Sequence, residues 1–197
     1  MPSLHHARAH KAGAFRHPAA YDRLARRARR LHARVVADVA AAGLADGARV
    51  LDAGTGPGRV PLAIAAARPG LRVEGIDLSG EMIEHARRLA VDAGVRDRVG
   101  FTVSDVADLS YPDGTFDLIV STLSQHHWAD VGGGIRELRR VVKPTGQIWI
   151  YDIRFALRRA EAAARAVSPR CDVGKEVVRT GPLSLGLIAR LTIRPTG

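Results

Sequence analysis

Alternating glycines follow an apolar segment and an acidic residue in the first third of the chain. The run reads Asp52-Ala53-Gly54-Thr55-Gly56-Pro57-Gly58 and comes directly after Val50 and Leu51. Such a loop lets the backbone approach a ligand closely, and a helix that begins after it directs its first amides at the same place. We therefore expect a ligand-binding loop at the end of a buried strand, with these binding residues: Asp52, Gly54, Thr55, Gly56 and Gly58.

Further polar residues follow three later apolar segments of the chain. Asp77 lies 19 residues after Gly58, Asp105 follows the next apolar segment, and His126-His127 follow another. Ligands of open α/β sheets bind outside the carboxyl ends of the strands. If each apolar segment is a strand of one parallel sheet, these side chains meet at one edge of it.

The hydrophobic pattern predicts the elements that would position them. Strands are predicted at 48–52, 71–77, 98–103, 115–121 and 147–153, and helices at 19–42, 57–67, 79–93, 131–141 and 154–167. Two more strands, near 176–180 and 187–193, have a connection too short for a helix, so we expect them to pair antiparallel. The predicted fold is α/β, with a doubly wound, mostly parallel, seven-stranded Rossmann-like sheet and an antiparallel edge strand.

The spacing of the glycines excludes two common phosphate-binding loops. A dinucleotide G-x-G-x-x-G pattern would need its third glycine at Arg59 or Pro61, and no Gly-Lys-Ser/Thr follows to make a P-loop. The pattern D-x-G-x-G-x-G instead resembles motif I of the class I S-adenosylmethionine (SAM)-dependent methyltransferases. That family's later motifs have counterparts in the same order, in segments 73–79, 104–106, 116–121 and 138–147. The resemblance as a whole covers about residues 19–155.

The resemblance implies roles for further residues in binding SAM. Asp77 would hold the ribose hydroxyls, since a carboxylate accepts two hydrogen bonds from a vicinal diol. Leu78 would pack on the adenine, Asp105 and Val106 would face its polar edge, and Ser121 would end the fourth strand beside the cofactor. The alternative for Asp77 and Asp105 is a cap of a helix or turn. Asp52 would either orient the loop or reach the methionyl amine of SAM.

Tyr21, His126 and His127 also have two interpretations each. In relatives the N-terminal helix closes over the cofactor, so Tyr21 would contact it, or would otherwise pack in the core. His126 or His127 would act as general base at neutral pH if the acceptor must lose a proton. Otherwise one histidine packs or caps the next helix and the other faces solvent. No metal site is expected.

The resemblance also narrows the methyl acceptor. Enzymes that methylate exocyclic base amines carry Asn/Asp-Pro-Pro-aromatic after the fourth strand, where this chain has Ser121-Thr122-Leu123-Ser124. The metal-dependent catechol type needs an Asn, and the chain has none; the only cysteine, Cys171, is far from the loop. We therefore expect transfer of the SAM methyl group to a small molecule by in-line displacement, with S-adenosylhomocysteine as the product.

The charge of the chain keeps two other functions open. The formal net charge is +10, but residues 35–150 carry twelve basic and fifteen acidic residues, so the excess lies in the two flanks. An acidic centre suits a cationic cofactor, whereas the basic helix 19–34 would either steer an RNA substrate or only solvate its outer face. The alternatives are thus an RNA methyltransferase, with nucleic acid as partner, or a non-catalytic SAM-binding accessory subunit.

Length and composition set the expected organisation. With 197 residues we expect a flexible tail at 1–18 and a single methyltransferase domain at 19–197. Within it, 19–43 would be a capping helix, 48–155 the cofactor-binding core, and 156–197 a helix and edge strands. The single cysteine, the missing signal peptide and the missing membrane span lead us to expect a cytoplasmic protein. No capping domain is inserted, so the acceptor site would be open or completed by a homodimer.

Overall fold

The computed structural model of the protein describes residues 29–167, 171–179 and 186–195. The proposed tail, Tyr21 and the first part of the predicted helix 19–42 lie outside these residues. None of the described helices is long and apolar enough to cross a membrane.

Helices and strands alternate through most of the described chain. The helices are α1 (Arg29–Ala40), α2 (Arg59–Ala67), α3 (Gly80–Asp92), α4 (Val131–Val141) and α5 (Leu157–Val167), with a short 3₁₀ helix at Gln125–His127. The strands are β1 (Arg49–Ala53), β2 (Arg72–Asp77), β3 (Val99–Val103), β4 (Phe116–Thr122), β5 (Val142–Ile153), β6 (Cys171–Val177) and β7 (Ile188–Pro195).

The seven strands form one sheet in the order β3-β2-β1-β4-β5-β7-β6. Strands β1 to β5 pair in parallel, and β7 pairs antiparallel with both β5 and β6. The predicted fold class is therefore confirmed, although the reversed strand β7 lies one place inside the edge that β6 forms. The strand order reverses at β1 and β4, which is where open α/β sheets bind ligands.

Two apolar clusters cover the two faces of the sheet. On one face α1, α2 and α3 contribute side chains such as Val35, Ile64 and Ile83, each at most 1% exposed. On the other face α4 and α5 contribute Leu138 and Leu157, both fully buried. The central strands β1 and β4 are buried along nearly their whole length, as expected for parallel strands covered on both faces. This rigid sheet fixes the positions of the loops at its carboxyl edge.

Three elements have a boundary that differs from the prediction by three residues or more, and the others with described ends agree to within two. β6 covers Cys171–Val177, whereas the predicted strand was near 176–180. Most side chains of β6 are exposed, so its sequence lacks the apolar alternation from which a strand is predicted. β5 begins at Val142, because Val142 pairs with Phe116 before a register shift that precedes Leu118. α5 begins at Leu157, after a turn in which Ala156 donates its backbone amide to the carbonyl of Ile153.

Candidate cofactor and acceptor site

The glycine loop after β1 has a backbone conformation that strongly favours glycine. Gly54, Gly56 and Gly58 have φ angles of +77°, +53° and +76°, in the left-handed region. A Cβ atom on Gly54 would lie 1.7 Å from the Oγ atom of Ser124, and one on Gly58 would lie 2.6 Å from the ring of Phe101. The loop is therefore packed tightly between the segment after β4 and the core, and of its three glycines only Gly54 is partly exposed.

Asp77 joins the glycine loop to the start of α3. Its Oδ2 atom accepts a hydrogen bond from the Gly56 amide at 2.8 Å, and its Oδ1 atom accepts one from the Ser79 amide at 2.9 Å. Burial raises the pKa of Asp77, while these backbone donors act in the opposite direction. The capping interaction considered for Asp77 is thus present. It leaves each oxygen able to accept a further hydrogen bond, and the neighbouring Leu78 side chain is 60% exposed.

Asp105 lies beside this junction, in the turn that follows β3. Its Oδ1 atom accepts the Ala107 amide at 2.9 Å, so it caps its own turn. The backbone amide of Ser104 donates to the Asp77 carbonyl at 3.0 Å, which holds the ends of β2 and β3 together. The side chain of Val106 belongs to the core cluster under α4. The structure therefore brings Asp77, Leu78, Asp105 and Val106 to one edge of the sheet.

Asp52 is the buried acid of the site, with 2% of its surface exposed. Its Oδ2 atom accepts the Thr55 hydroxyl at 2.8 Å, whereas Oδ1 is buried and has no hydrogen-bond partner. Burial raises the pKa of Asp52 to about 7; the Thr55 hydroxyl opposes this rise and the negative charge of Asp77 adds to it. An orphaned carboxylate oxygen is costly, and a cationic donor would satisfy it.

A small cleft of about 10 Å³ lies in front of Asp52, between α1, α2 and the end of β4. His32, Arg59 and Thr122 line it together with the glycine loop. The Thr122 hydroxyl is also buried without a partner, and burial together with the positive charge of Arg59 lowers the pKa of His32. Sequence analysis missed these three residues, because they come from three elements and no local motif contains them.

The segment after β4 positions the two histidines. The Nδ1 atom of His126 lies 2.8 Å from Oδ1 of Asp152, and the His126 backbone amide donates to Oδ2 of the same carboxylate at 3.1 Å. Asp152 ends the buried part of β5, is fully buried, and also accepts the Ile153 amide. Sequence analysis missed Asp152; a single acid near the end of an apolar strand was the only signal.

His127 and Trp128 complete this segment. The ring centroids of His126 and His127 lie 3.9 Å apart. Partial burial lowers the pKa of His127, and the charge of the neighbouring His126 lowers it further. Its imidazole is therefore mainly neutral at pH 7. The Trp128 indole donates to Ser124 at 3.1 Å, and its ring packs against the core. Neither histidine caps α4, because Asp130 does so through a 2.8 Å bond from the Gly133 amide.

Ser121 lies at the same end of β4, fully buried, and its hydroxyl has no partner. It stands between the glycine loop and the histidine segment, because β4 pairs with β1 on one side and β5 on the other. All predicted site residues within the described chain thus lie at the carboxyl edge where the strand order reverses. Tyr21 lies outside the described chain, and its contact with the cofactor stays a prediction.

This arrangement is that of a class I methyltransferase fold with its motif I loop. A methyltransferase domain model matches residues 51–150, which is half of the chain, and the chain belongs to that family. The match spans the glycine loop, Asp77, Asp105 and the histidine segment.

Curated relatives and solved structures agree with the family. Over 133 residues the chain is 38% identical to 27-O-demethylrifamycin SV methyltransferase of Amycolatopsis mediterranei. This alignment covers 67% of this chain and 48% of the relative. It is 34% identical over 113 residues to a ubiquinone/menaquinone biosynthesis C-methyltransferase of Geotalea daltonii, covering 55% of this chain and 48% of the relative. The chain therefore spans about half the length of these relatives.

A SAM-dependent methyltransferase from Aquifex aeolicus has a similar structure, with a TM-score of 0.69 at 23% sequence identity. The alignment covers 90% of this chain and 97% of that one. At this identity the likeness establishes the fold alone.

Proposed function

We propose that the protein binds SAM and transfers its methyl group to a small-molecule acceptor that gives up a proton in the reaction. The observation that carries the proposal is the junction of the left-handed glycine loop with Asp77 through the Gly56 amide. It places two carboxylates, Asp52 and Asp77, along one loop at the switch point of the sheet. A cofactor with a vicinal diol at one end and an ammonium group at the other fits this pair.

The residues present fit SAM by their chemistry. Asp77 retains acceptor capacity for ribose hydroxyls, and the exposed Leu78 side chain offers an apolar surface to the adenine. Asp105 and Val106 lie at the adjacent turn for the polar edge of the base. The Oδ1 atom of Asp52, which has no partner in the protein, would accept a hydrogen bond from the ammonium group. The glycine loop lets its backbone approach the cofactor between these ends.

Bound SAM supplies an electrophilic methyl group, and the protein positions the acceptor and manages its proton. Asp152 accepts the Nδ1 proton of His126, which leaves Nε2 as the basic atom of the imidazole. His126 then takes a proton from the acceptor as the acceptor attacks the methyl group in line. Much of the acceleration comes from holding the two reactants in this geometry. The role of His127 is to pack against His126 and restrict its ring.

A base is useful only for an acceptor atom that carries a proton. The His126–Asp152 pair therefore favours a hydroxyl or an acidic carbon over a tertiary amine. The named relatives that act on a rifamycin and in quinone biosynthesis support a small-molecule acceptor. The glycine loop, its hydrogen bond to Asp77 and the fold support a cofactor.

The proposal is tested by incubating the purified chain with methyl-labelled SAM and an acceptor panel. The panel contains phenols, hydroquinones, aliphatic alcohols, tertiary amines and single-stranded RNA. We expect label to enter a hydroxyl- or carbon-acid-bearing small molecule, with matching release of S-adenosylhomocysteine. Transfer to RNA alone would overturn the small-molecule assignment. Cofactor binding without transfer to any acceptor would favour the accessory subunit.

A further inference from the structure

A second charged feature lies at the opposite end of the sheet, where β1, β2 and β3 begin. Four arginines line an open groove of about 430 Å³ there: Arg49, Arg72, Arg96 and Arg98. Only two acids, Glu74 and Asp97, line it with them. β1 is five residues long, so the groove and the glycine loop are separated by about 15 Å of strand. It is not part of the cofactor site.

Three of these arginines stand in one row across the sheet. Arg49 pairs with Arg72 in the β1–β2 register. Arg98 directly precedes Val99, which pairs with Val73, and the Arg98 carbonyl accepts the Val73 amide at 2.9 Å. Strands in a sheet lie about 4.8 Å apart. Like charges on directly opposite residues destabilise a sheet, and guanidinium groups do not lose their charge.

The two acids neutralise only part of this charge. Glu74 forms an ion pair with Arg49, whose guanidinium also lies over the Phe116 ring. Asp97 reaches Arg98 at 3.4 Å, and its own side chain is 72% exposed. Arg98 keeps a buried Nε atom without a partner. Within the described part of the chain, Arg72 and Arg96 have no acidic partner, and both are exposed.

We propose that this arginine groove binds adjacent phosphate groups, with Arg72 and Arg96 as the primary ligands. The planar fork of arginine matches phosphate oxygens in pairs, and several guanidinium groups in one groove favour a multiply charged anion over a halide or a single carboxylate. An anion bound among these side chains also reduces the repulsion of the in-register arginines. The same chemistry is offered by the polyphosphate of a nucleotide and by the backbone of a nucleic acid. None of the groove's lining residues belongs to the cofactor site, so phosphate binding there does not require methyl transfer.

The test measures binding of inorganic tripolyphosphate by calorimetry and of a single-stranded 12-nucleotide RNA by fluorescence anisotropy. The groove variant is Arg72→Gln with Arg96→Gln. The matched control, Arg158→Gln with Arg159→Gln, removes the same charge from exposed residues of α5. We expect the groove variant to weaken binding at least about tenfold and the control to change it less than about twofold. For RNA, the salt slope of log K should fall by about 1.4 in the groove variant, as the loss of two phosphate contacts requires.

The probe that binds identifies the source of the phosphate. Binding of tripolyphosphate without RNA assigns the groove to a free polyphosphate, and RNA binding that tripolyphosphate displaces assigns it to a backbone. Equal weakening by the groove and control variants would show that only net charge matters, and would overturn the proposal. So would the absence of binding of both probes by the unmodified protein. Titration with S-adenosylhomocysteine should be the same for both variants, which checks that each is folded.

Discussion

His126 is bound to Asp152 at two points, through its ring Nδ1 atom at 2.8 Å and through its backbone amide at 3.1 Å. The carboxylate is fully buried at the end of β5, so it holds both the ring and the start of the 3₁₀ helix. His127, one residue on, has its ring against that of His126. The two adjacent histidines are therefore not equivalent, and variants should separate them.

Replacing His126 by alanine should lower kcat by roughly 10² to 10⁴, the usual contribution of a general base. His127→Ala should lower it much less, because it leaves the His126–Asp152 pair in place. Both variants should bind S-adenosylhomocysteine as the unmodified protein does. Steady-state kinetics on the identified acceptor makes the comparison. Equal turnover in all three proteins would leave positioning alone as the source of the acceleration.

Asp152→Asn should lower kcat while leaving KM for SAM nearly unchanged. An asparagine amide can present a donor to Nδ1, which shifts the ring proton to Nε2 and removes the basic atom. Since Asp152 also accepts two backbone amides, thermal unfolding must be measured alongside. A loss of kcat that disappears when the reaction is run well below the variant's unfolding temperature would contradict the orienting role.

Gly54→Ala should destabilise the protein, and part of the loss should come from collision with Ser124. Gly47 provides the matched control, since its φ is +83° and a Cβ there meets nothing within 4 Å. Gly47→Ala therefore reports the backbone strain alone, of about 1–2 kcal/mol. Gly54→Ala should cost more than this in chemical denaturation, and Ser124→Ala in the same chain should recover part of the excess. Equal costs for the two glycine variants would show that the contact with Ser124 is unimportant.

The buried Asp52 should make stability depend on pH. Its pKa is about 7 in the folded protein, against about 3.9 in an unfolded chain. Between these values the folded state holds a proton that the unfolded state has lost, so the free energy of unfolding should fall as pH rises from about 4 to 7. Asp52→Asn should remove this part of the slope. Denaturation curves for both proteins across this range provide the measurement, and identical slopes would show that Asp52 is already ionised when buried.

The architecture was predictable because it rests on patterns that are local in sequence. Periodic apolar segments gave the parallel strands, α4 was predicted at its observed bounds, and Ser79 caps α3 as its position predicts. β6 was misplaced because an edge strand with few buried side chains carries little pattern. The groove at the amino ends of the strands was not predicted either. Its arginines are far apart in the sequence, and only the register of three strands brings them together.

Site residues were predictable where a short local segment contains them. The glycine loop, Asp77 and the histidine segment each follow a strand, and their types suggest their chemistry. The contact between His126 and Asp152 joins residues 26 positions apart, and the cleft draws on α1, α2 and β4. Such contacts are created by the packing of β4 against β5 and of α1 against α2. No spacing within the sequence could have revealed them.

The central claim is that the loop of Gly54, Gly56 and Gly58, together with Asp77, binds SAM. Calorimetric titration of the chain with S-adenosylhomocysteine tests it most directly, with Asp77→Ala as the site variant and Asp113→Ala, an exposed loop acid, as the charge-matched control. We expect one site per chain, affinity weakened at least about tenfold by Asp77→Ala through loss of charge-assisted hydrogen bonds, and little change with the control. Absence of binding by the unmodified protein, or equal affinity in all three proteins, would contradict it.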